Sequence, residues 1–271
     1  MIIREPPLRP PAKNRLQELG RDGLEIIAET GRCGVLLDQA LGAFRHAFRS
    51  RRMRREIVAQ MYVAGIRSIP VITIVAVFTG MILALQTGLA LSRYNQEVYV
   101  GSAVMLSMLR EMGPFMTGLI LAACVGSSMA AQLGTMMVND EIAALEIMSI
   151  DPVRFLMTPR LAAMLVMTPV LGFYTCMMGV LGGGVVAMTQ LNVNWSQYIV
   201  NAMDFAATKD LYVGLLKSAV FGMAIVTVAC YEGFTTEQGA VGVGMATRRS
   251  VISAFLLILV MGYFITRIFY N

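Results

Sequence analysis

Charge, histidine and tryptophan are all scarce in this chain. Of its 271 residues one is histidine and one tryptophan, and charged side chains make up 14%. The lone His46 sits among arginines, so it offers neither a metal-ligand cluster nor the base of a nucleophilic triad. The four cysteines, Cys33, Cys124, Cys176 and Cys230, are far apart and form no C-x-x-C pair, which excludes a disulfide framework and a zinc site. They read as small packing residues, and no metal is assigned. No G-x-x-x-x-G-K-S/T segment occurs, so ATP hydrolysis would have to come from a partner. The clustered His, Asp or Glu expected of a membrane-embedded lipid-modifying enzyme are also missing. The N-terminus has no basic stretch leading directly into an apolar run and a cleavage site, and no cleaved leader is expected.

Apolar residues fill the space these absences leave. A 56% hydrophobic composition and a mean hydropathy of +0.65 give more apolar surface than a water-soluble core of this length can hide. The expected class is an all-α, polytopic membrane protein. The net charge of +5 is concentrated at one end and does not alternate with aromatics, which argues for a membrane surface and against nucleic acid. Residues 1 to about 12, rich in proline and arginine, read as an irregular tail. From Lys13 to about Arg55, apolar residues recur at helical spacing, clearest in Leu37, Leu41, Phe44 and Phe48. The basic stretch Arg45 to Arg55 suits a helix lying on an anionic leaflet, with a soluble helical hairpin as the alternative. Residues 1–65 are therefore read as a tail with amphipathic interfacial helices, and 66–271 as the membrane domain.

Five apolar segments, at about 69–91, 112–131, 161–189, 211–230 and 251–270, are long enough to cross a hydrocarbon core of roughly 20 residues. Val98 to Leu109 is too short to cross alone and reads as a re-entrant or interfacial piece. The N-terminal arginines, Arg154 with Arg160, and Arg248 with Arg249 then share one side. By the positive-inside rule that side is cytoplasmic, with the N-terminus inside and the C-terminus outside. Gly172, Gly179 and Gly183 have the small-residue spacing that brings helices close in lipid, and Gly242-Val243-Gly244 reads as a flexible lead into the last span. The 22 methionines read mainly as packing within the spans.

Ionisable groups in apolar segments carry the sharper signal, because each needs a partner or a wet cavity. Arg110 and Glu111 border the second span, and Lys217 lies inside the fourth. They can line an open cavity in which a guanidinium meets a phosphate, or form an internal ion pair of Glu111 with Lys217 or Arg110. Pro114 removes a backbone donor just beyond them. Between the second and third spans, Asn139 to Glu146 is polar and helix-forming, with Asp151-Pro152 as a stop.

The segments REMGPFMTGL (110–119), GSSMAAQLGTMMVNDEIAALEIMSIDP (126–152) and LMTPRLAA (156–163) resemble the MlaE/YrbE permease family of MCE-associated ABC transporters. GMILALQ (80–86) and the Tyr231 to Val251 stretch extend the resemblance over nearly everything after Arg55. It implies a homodimeric permease in the inner membrane of a double-membraned bacterium. The cargo would be phospholipid or a related lipid, exchanged with a periplasmic MCE-domain hexamer and contributing to outer-membrane lipid asymmetry. The implied partners are a cytoplasmic ABC ATPase, which binds the ATP and Mg, and a STAS-domain protein. The chain itself would hold no cofactor. The resemblance also implies a coupling helix at about 135–149, with Val138, Asp140, Glu141, Ile142, Leu145 and Glu146 meeting the ATPase. It implies a lipid cavity drawing on Leu83, Ala90, Tyr94, Arg110, Glu111 and Met112. Two positions depart from the pattern: Cys124 and Gln132 stand where the family typically has arginine and glutamate, which suggests a lost ion pair. A secondary transporter or channel that needs no ATPase is the alternative function.

Overall fold

The structure, a computed structural model, describes residues 31–42, 51–237 and 239–270. These residues are helical, with no strand among them. Helix α1 covers 31–42. Five long helices follow, each apolar enough to cross a membrane: α2 (Met53–Ser92), α3 (Glu97–Val138), α5 (Val153–Gln190), α7 (Thr208–Phe234) and α8 (Gly239–Tyr270). Two short helices join them, α4 (Glu141–Ile147) between α3 and α5, and α6 (Trp195–Asp204) between α5 and α7. They mark the two ends of the bundle.

Small residues let the long helices meet. Along α2, Ile72, Ala76, Gly80, Ala84 and Gly88 recur every fourth residue and are buried. A methyl at Gly80 would lie 1.8 Å from the Gly179 carbonyl oxygen of α5, and one at Gly182 would lie 2.4 Å from that of Val77. The backbones touch, which is how helices gain contact where lipid removes the hydrophobic drive. The outward faces of α2 and α8 are apolar, with Ile74, Phe78, Leu256 and Val260 all more than half exposed. Near its start α2 tightens into a 3-10 turn at Ile66–Ser68, because Pro70 has no N–H for the Ile66 carbonyl, which the Ile69 N–H takes instead.

Several boundaries differ from the sequence expectation. Val98 to Leu109 is the first part of α3, one unbroken helical run of 42 residues, and not a separate re-entrant piece. At about 63 Å that helix is twice the hydrocarbon thickness, so part of it extends beyond the membrane core. Helix α6 covers its start. Asn194 caps α6 by accepting from the Ser196 N–H at 3.0 Å, and Asn201 Nδ2 donates to the Val98 carbonyl at 2.9 Å. Tyr198 is fully buried against Gly101 and Gly183 and donates its hydroxyl to the Val180 carbonyl at 3.0 Å. Burial pushes the Tyr198 phenol above its usual range, which keeps it a donor. Tyr198→Phe is expected to lower stability by about 1 kcal/mol, read as a small drop in the thermal unfolding temperature.

At the other end, α8 begins at Gly239, so Gly242-Val243-Gly244 is helical and not a flexible lead. Helix α4, in the segment expected to be a coupling helix, is confined to Glu141–Ile147, since residues 135–138 finish α3, and left-handed Asp140 and Ser149 bracket it. Asp151 starts the next helix: its Oδ1 accepts from the Val153 N–H at 3.0 Å. Helix α1 packs against this end through Leu36 and Ala40, which join Ile142, Val153 and Phe234 in one buried cluster. Leu37 is only partly buried and Leu41 is 42% exposed, so the face that docks is offset from the expected stripe. Phe44, Phe48 and residues 45–50 of the basic stretch lie outside the described residues.

Candidate functional site

The site is built where α3 departs from α-helical geometry. Over Met108–Met112 the helix widens into a π turn. Pro114, four residues after Arg110, has no N–H to give the Arg110 carbonyl. Lys217 of α7 takes that carbonyl at 2.8 Å. The same ammonium donates to Glu111 Oε1 at 2.7 Å and to Thr266 Oγ1 of α8 at 2.6 Å. All three of its donors are thus used. Thr266 Oγ1 also lies within hydrogen-bonding distance of Glu111 Oε1 and of the Gly262 carbonyl.

Arg110 turns the other way. Its Nε and Nη2 donate to the two carboxylate oxygens of Asp210 at 2.8 and 3.2 Å, a forked contact. Tyr270 of α8 donates its hydroxyl to Asp210 Oδ1 at 2.6 Å, and its ring lies 4.6 Å from the guanidinium carbon. Asp210 sits in the first turn of α7, where the helix dipole favours a carboxylate. Two neighbouring residues of α3 therefore pair with two residues about two helical turns apart on α7, and α8 closes both pairs. Lys217 and Asp210 are each 1% exposed, whereas Glu111 and Arg110 side chains are 44% and 38% exposed. The α7 partners anchor the group at its back, and the α3 partners face outward.

This group lies where α7 begins and α8 ends, while α2, α3 and α5 run on toward α6. The result is a ledge with a charged floor. Leu83 and Met112 are partly buried against an apolar cluster that includes Val104, Met108, Leu109 and Val180, and Met112 follows Glu111 directly in the chain. Ala90 and Tyr94 lie exposed at the end of α2 and in the turn after it, Tyr94 at 75%, and the bonds that make the charged group do not include them. Asp210, Thr266 and Tyr270 were not singled out from the sequence. Their spacing, seven apart on α7 for Asp210 and Lys217 and four apart on α8, is the signal that one face of each helix is polar.

At the α4 end, the expected partner-contacting residues divide. Val138, Asp140, Glu141 and Glu146 are exposed, but Ile142 is 3% exposed and Leu145 partly buried, both packed into the bundle. Ile147 and Met148, off the Ile142 and Leu145 phase, project instead at 85% and 60% exposure. Gln132 Oε1 accepts weakly from Arg160 Nη2 at 3.4 Å, and Arg160, 6% exposed, donates Nη1 to the Leu156 carbonyl at 2.6 Å. Cys124 and Gln132 are eight residues apart on one helix, about 12 Å. They are too far apart for a direct pair between their side chains, so position 132 belongs with Arg160. Among the described residues no three His, Cys, Asp or Glu side chains converge as metal ligands would.

The family described as Permease MlaE matches residues 57–268, which include every side chain of the charged group except Tyr270. The chain belongs to the MlaE permease family. It is a multi-pass permease subunit of the ABC-transporter class. Similar proteins include a probable ABC transporter permease protein of Rickettsia prowazekii, 37% identical over 215 residues, 79% of this chain and 83% of the relative. A probable ABC transporter permease protein of Rickettsia bellii is 33% identical over 258 residues, 95% of this chain and 98% of its own. The intermembrane phospholipid transport system permease protein MlaE of Haemophilus influenzae is 30% identical over 259 residues, with the same 95% and 98% coverage. Within this permease the π turn at Met108–Met112 lies at the charged group, and two others lie at Ala122–Gly126 and Val153–Met157.

Proposed function

We propose that this permease moves phospholipid between the inner membrane and a periplasmic MCE-domain hexamer, driven by a cytoplasmic ABC ATPase that binds ATP and Mg. The observation that carries the reading is the half-exposed Arg110, a forked phosphate ligand by chemistry, next in the chain to the apolar cluster of Met108 and Leu109 on which Leu83 and Met112 pack. An acyl chain can run along the apolar cluster while a headgroup meets the charged floor. The open ledge on a single chain supports a homodimer in which a second copy supplies the facing wall. Arg54, Arg55, Arg154, Arg248 and Arg249 are exposed, and Arg54, Arg55 and Arg154 lie at the starts of α2 and α5. That asymmetry supports a cytoplasmic N-terminus and α4, and a periplasmic C-terminus. A STAS-domain partner and a part in outer-membrane lipid asymmetry follow from the family resemblance alone. Lys217 has all three donors engaged, which suits a structural tie better than the ion-coupled site a secondary transporter requires.

The ATPase contact is assigned to Glu141, Glu146 and the projecting pair Ile147 and Met148. An apolar pair this exposed outside the bundle is unfavourable in water unless a partner covers it. The test is native mass spectrometry of the protein gently extracted from its own membrane. A dimer carrying an ATPase pair and phospholipid-mass adducts is expected; recovery with neither lipid nor ATPase would overturn the reading. In the doubly substituted Ile147→Asp, Met148→Asp protein, ATPase recovery should fall at least tenfold, the effect of losing about 1.4 kcal/mol of contact, with lipid adducts retained.

A further inference from the structure

The charged floor has two polar ends that its internal bonds do not use. Arg110 gives Nε and Nη2 to Asp210, so the Nη1 edge lies outside that fork on a side chain 38% exposed. Glu111 receives Lys217 and Thr266 at Oε1, so Oε2 lies outside that contact on a side chain 44% exposed. Consecutive residues of α3 therefore each present an outward polar end, cationic at Arg110 and anionic at Glu111. Each is held from behind by a counter-ion that is itself 1% exposed, which fixes both against rotation.

The chemistry that fits both ends is a short zwitterion. A phosphodiester has the negative charge and paired oxygens that the Arg110 edge takes. An ammonium close to that phosphate supplies N–H donors and positive charge to Glu111 Oε2. A glycerol headgroup brings hydroxyls but no cation. A bare phosphate monoester would bring a second negative charge up against Glu111. A quaternary ammonium has no N–H to donate. We propose that the Arg110–Glu111 step selects phospholipids whose headgroup carries a primary ammonium, with the phosphate on Arg110 and the ammonium on Glu111. The proposal rests on the lipid-transport reading above and names the class of lipid for the same site.

The full-length protein would be reconstituted in vesicles of equimolar phosphatidylethanolamine and phosphatidylglycerol, re-extracted, and its retained lipid counted by native mass spectrometry. Phosphatidylethanolamine is expected to be enriched about threefold over phosphatidylglycerol, the size of effect a half-exposed charge contact gives. Glu111→Gln keeps an amide oxygen for Lys217 and Thr266 but removes the charge, and should bring the two lipids to parity. Gly244→Ala, which touches none of these groups, should keep the enrichment. If Glu111→Gln does not fold, the double variant with Lys217→Met removes both charges of the pair and carries the same expectation of parity. Wild-type protein that retains both lipids equally, or an enrichment that survives loss of the Glu111 charge, would overturn the proposal while leaving lipid transport standing. Wild-type protein that retains no lipid would remove the transport reading, and the proposal with it.

Discussion

Arg110→Ala is expected to destabilise the protein by about 3 kcal/mol, because it leaves a buried carboxylate without its counter-ion. Asp210 is 1% exposed, and after the substitution only the Tyr270 hydroxyl and local backbone would face it. The lower end of the usual range applies, since Arg110 itself is 38% exposed and water can partly replace it. For a chain of this size that corresponds to a fall of roughly 6–12 °C in the unfolding temperature, followed by light scattering in detergent. Asp210→Asn on its own should cost less, because the released guanidinium can reach water. The two substitutions together should cost less than their sum by about 1–2 kcal/mol, the coupling of a contacting pair. Strict additivity would mean that the fork contributes no stability and that Arg110 acts through its outward edge alone. Arg110→Lys separates the roles further. A lysine restores charge but not the fork, so stability should recover in part while lipid retention stays low.

The largest structural effect is expected at Gly80. A methyl there would sit 1.8 Å from the Gly179 carbonyl oxygen, and backbone cannot swing aside as a side chain can. Helices α2 and α5 would have to separate along a contact that runs through Gly80, Gly179, Gly182 and Gly183. Gly80→Ala should therefore cost 3 kcal/mol or more, roughly the upper limit for overpacking. Gly80→Val should yield no monodisperse protein on fluorescence-detected size exclusion. Gly244→Ala is the matched control. It also lies within a long helix, but nothing stands within 4 Å of the added methyl, and replacing a helical glycine there should gain up to about 1 kcal/mol. Equal yields for the Gly80 and Gly244 variants would show that α2 and α5 tolerate a wider spacing than the structure has.

Particular residues mark where the sequence could be read and where it could not. The apolar segments and the Glu111 and Lys217 charges stood out because each breaks a local expectation, length in one case and polarity in the other. Val98 to Leu109 was harder, because a hydropathy window ends at Arg110-Glu111 as though a span had stopped. The helix continues there because the charges are neutralised from α7 and α8, a hundred or more residues later in the chain. The short helix α6 was missed for a similar reason: its Tyr198 is buried only by the glycines of α3 and α5 that receive it. At the α4 end the helix-forming stretch was visible. The direction in which Ile142 and Ile147 point was not, since it depends on where α1 and α5 lie.

The sequence by itself determined the class of protein, the number of long apolar helices, the family, and the presence of ionisable groups that must have partners in hydrocarbon. Those properties follow from composition and local order, which are fixed before the chain folds. Only the tertiary structure decided that Arg110 pairs with Asp210 and Tyr270, that Glu111 pairs with Lys217 and Thr266, and that each pair leaves one polar end facing outward. Pairing between charges distant in sequence depends on which helix faces meet. That is set by the close packing of glycine against backbone, a long-range property that no local pattern specifies.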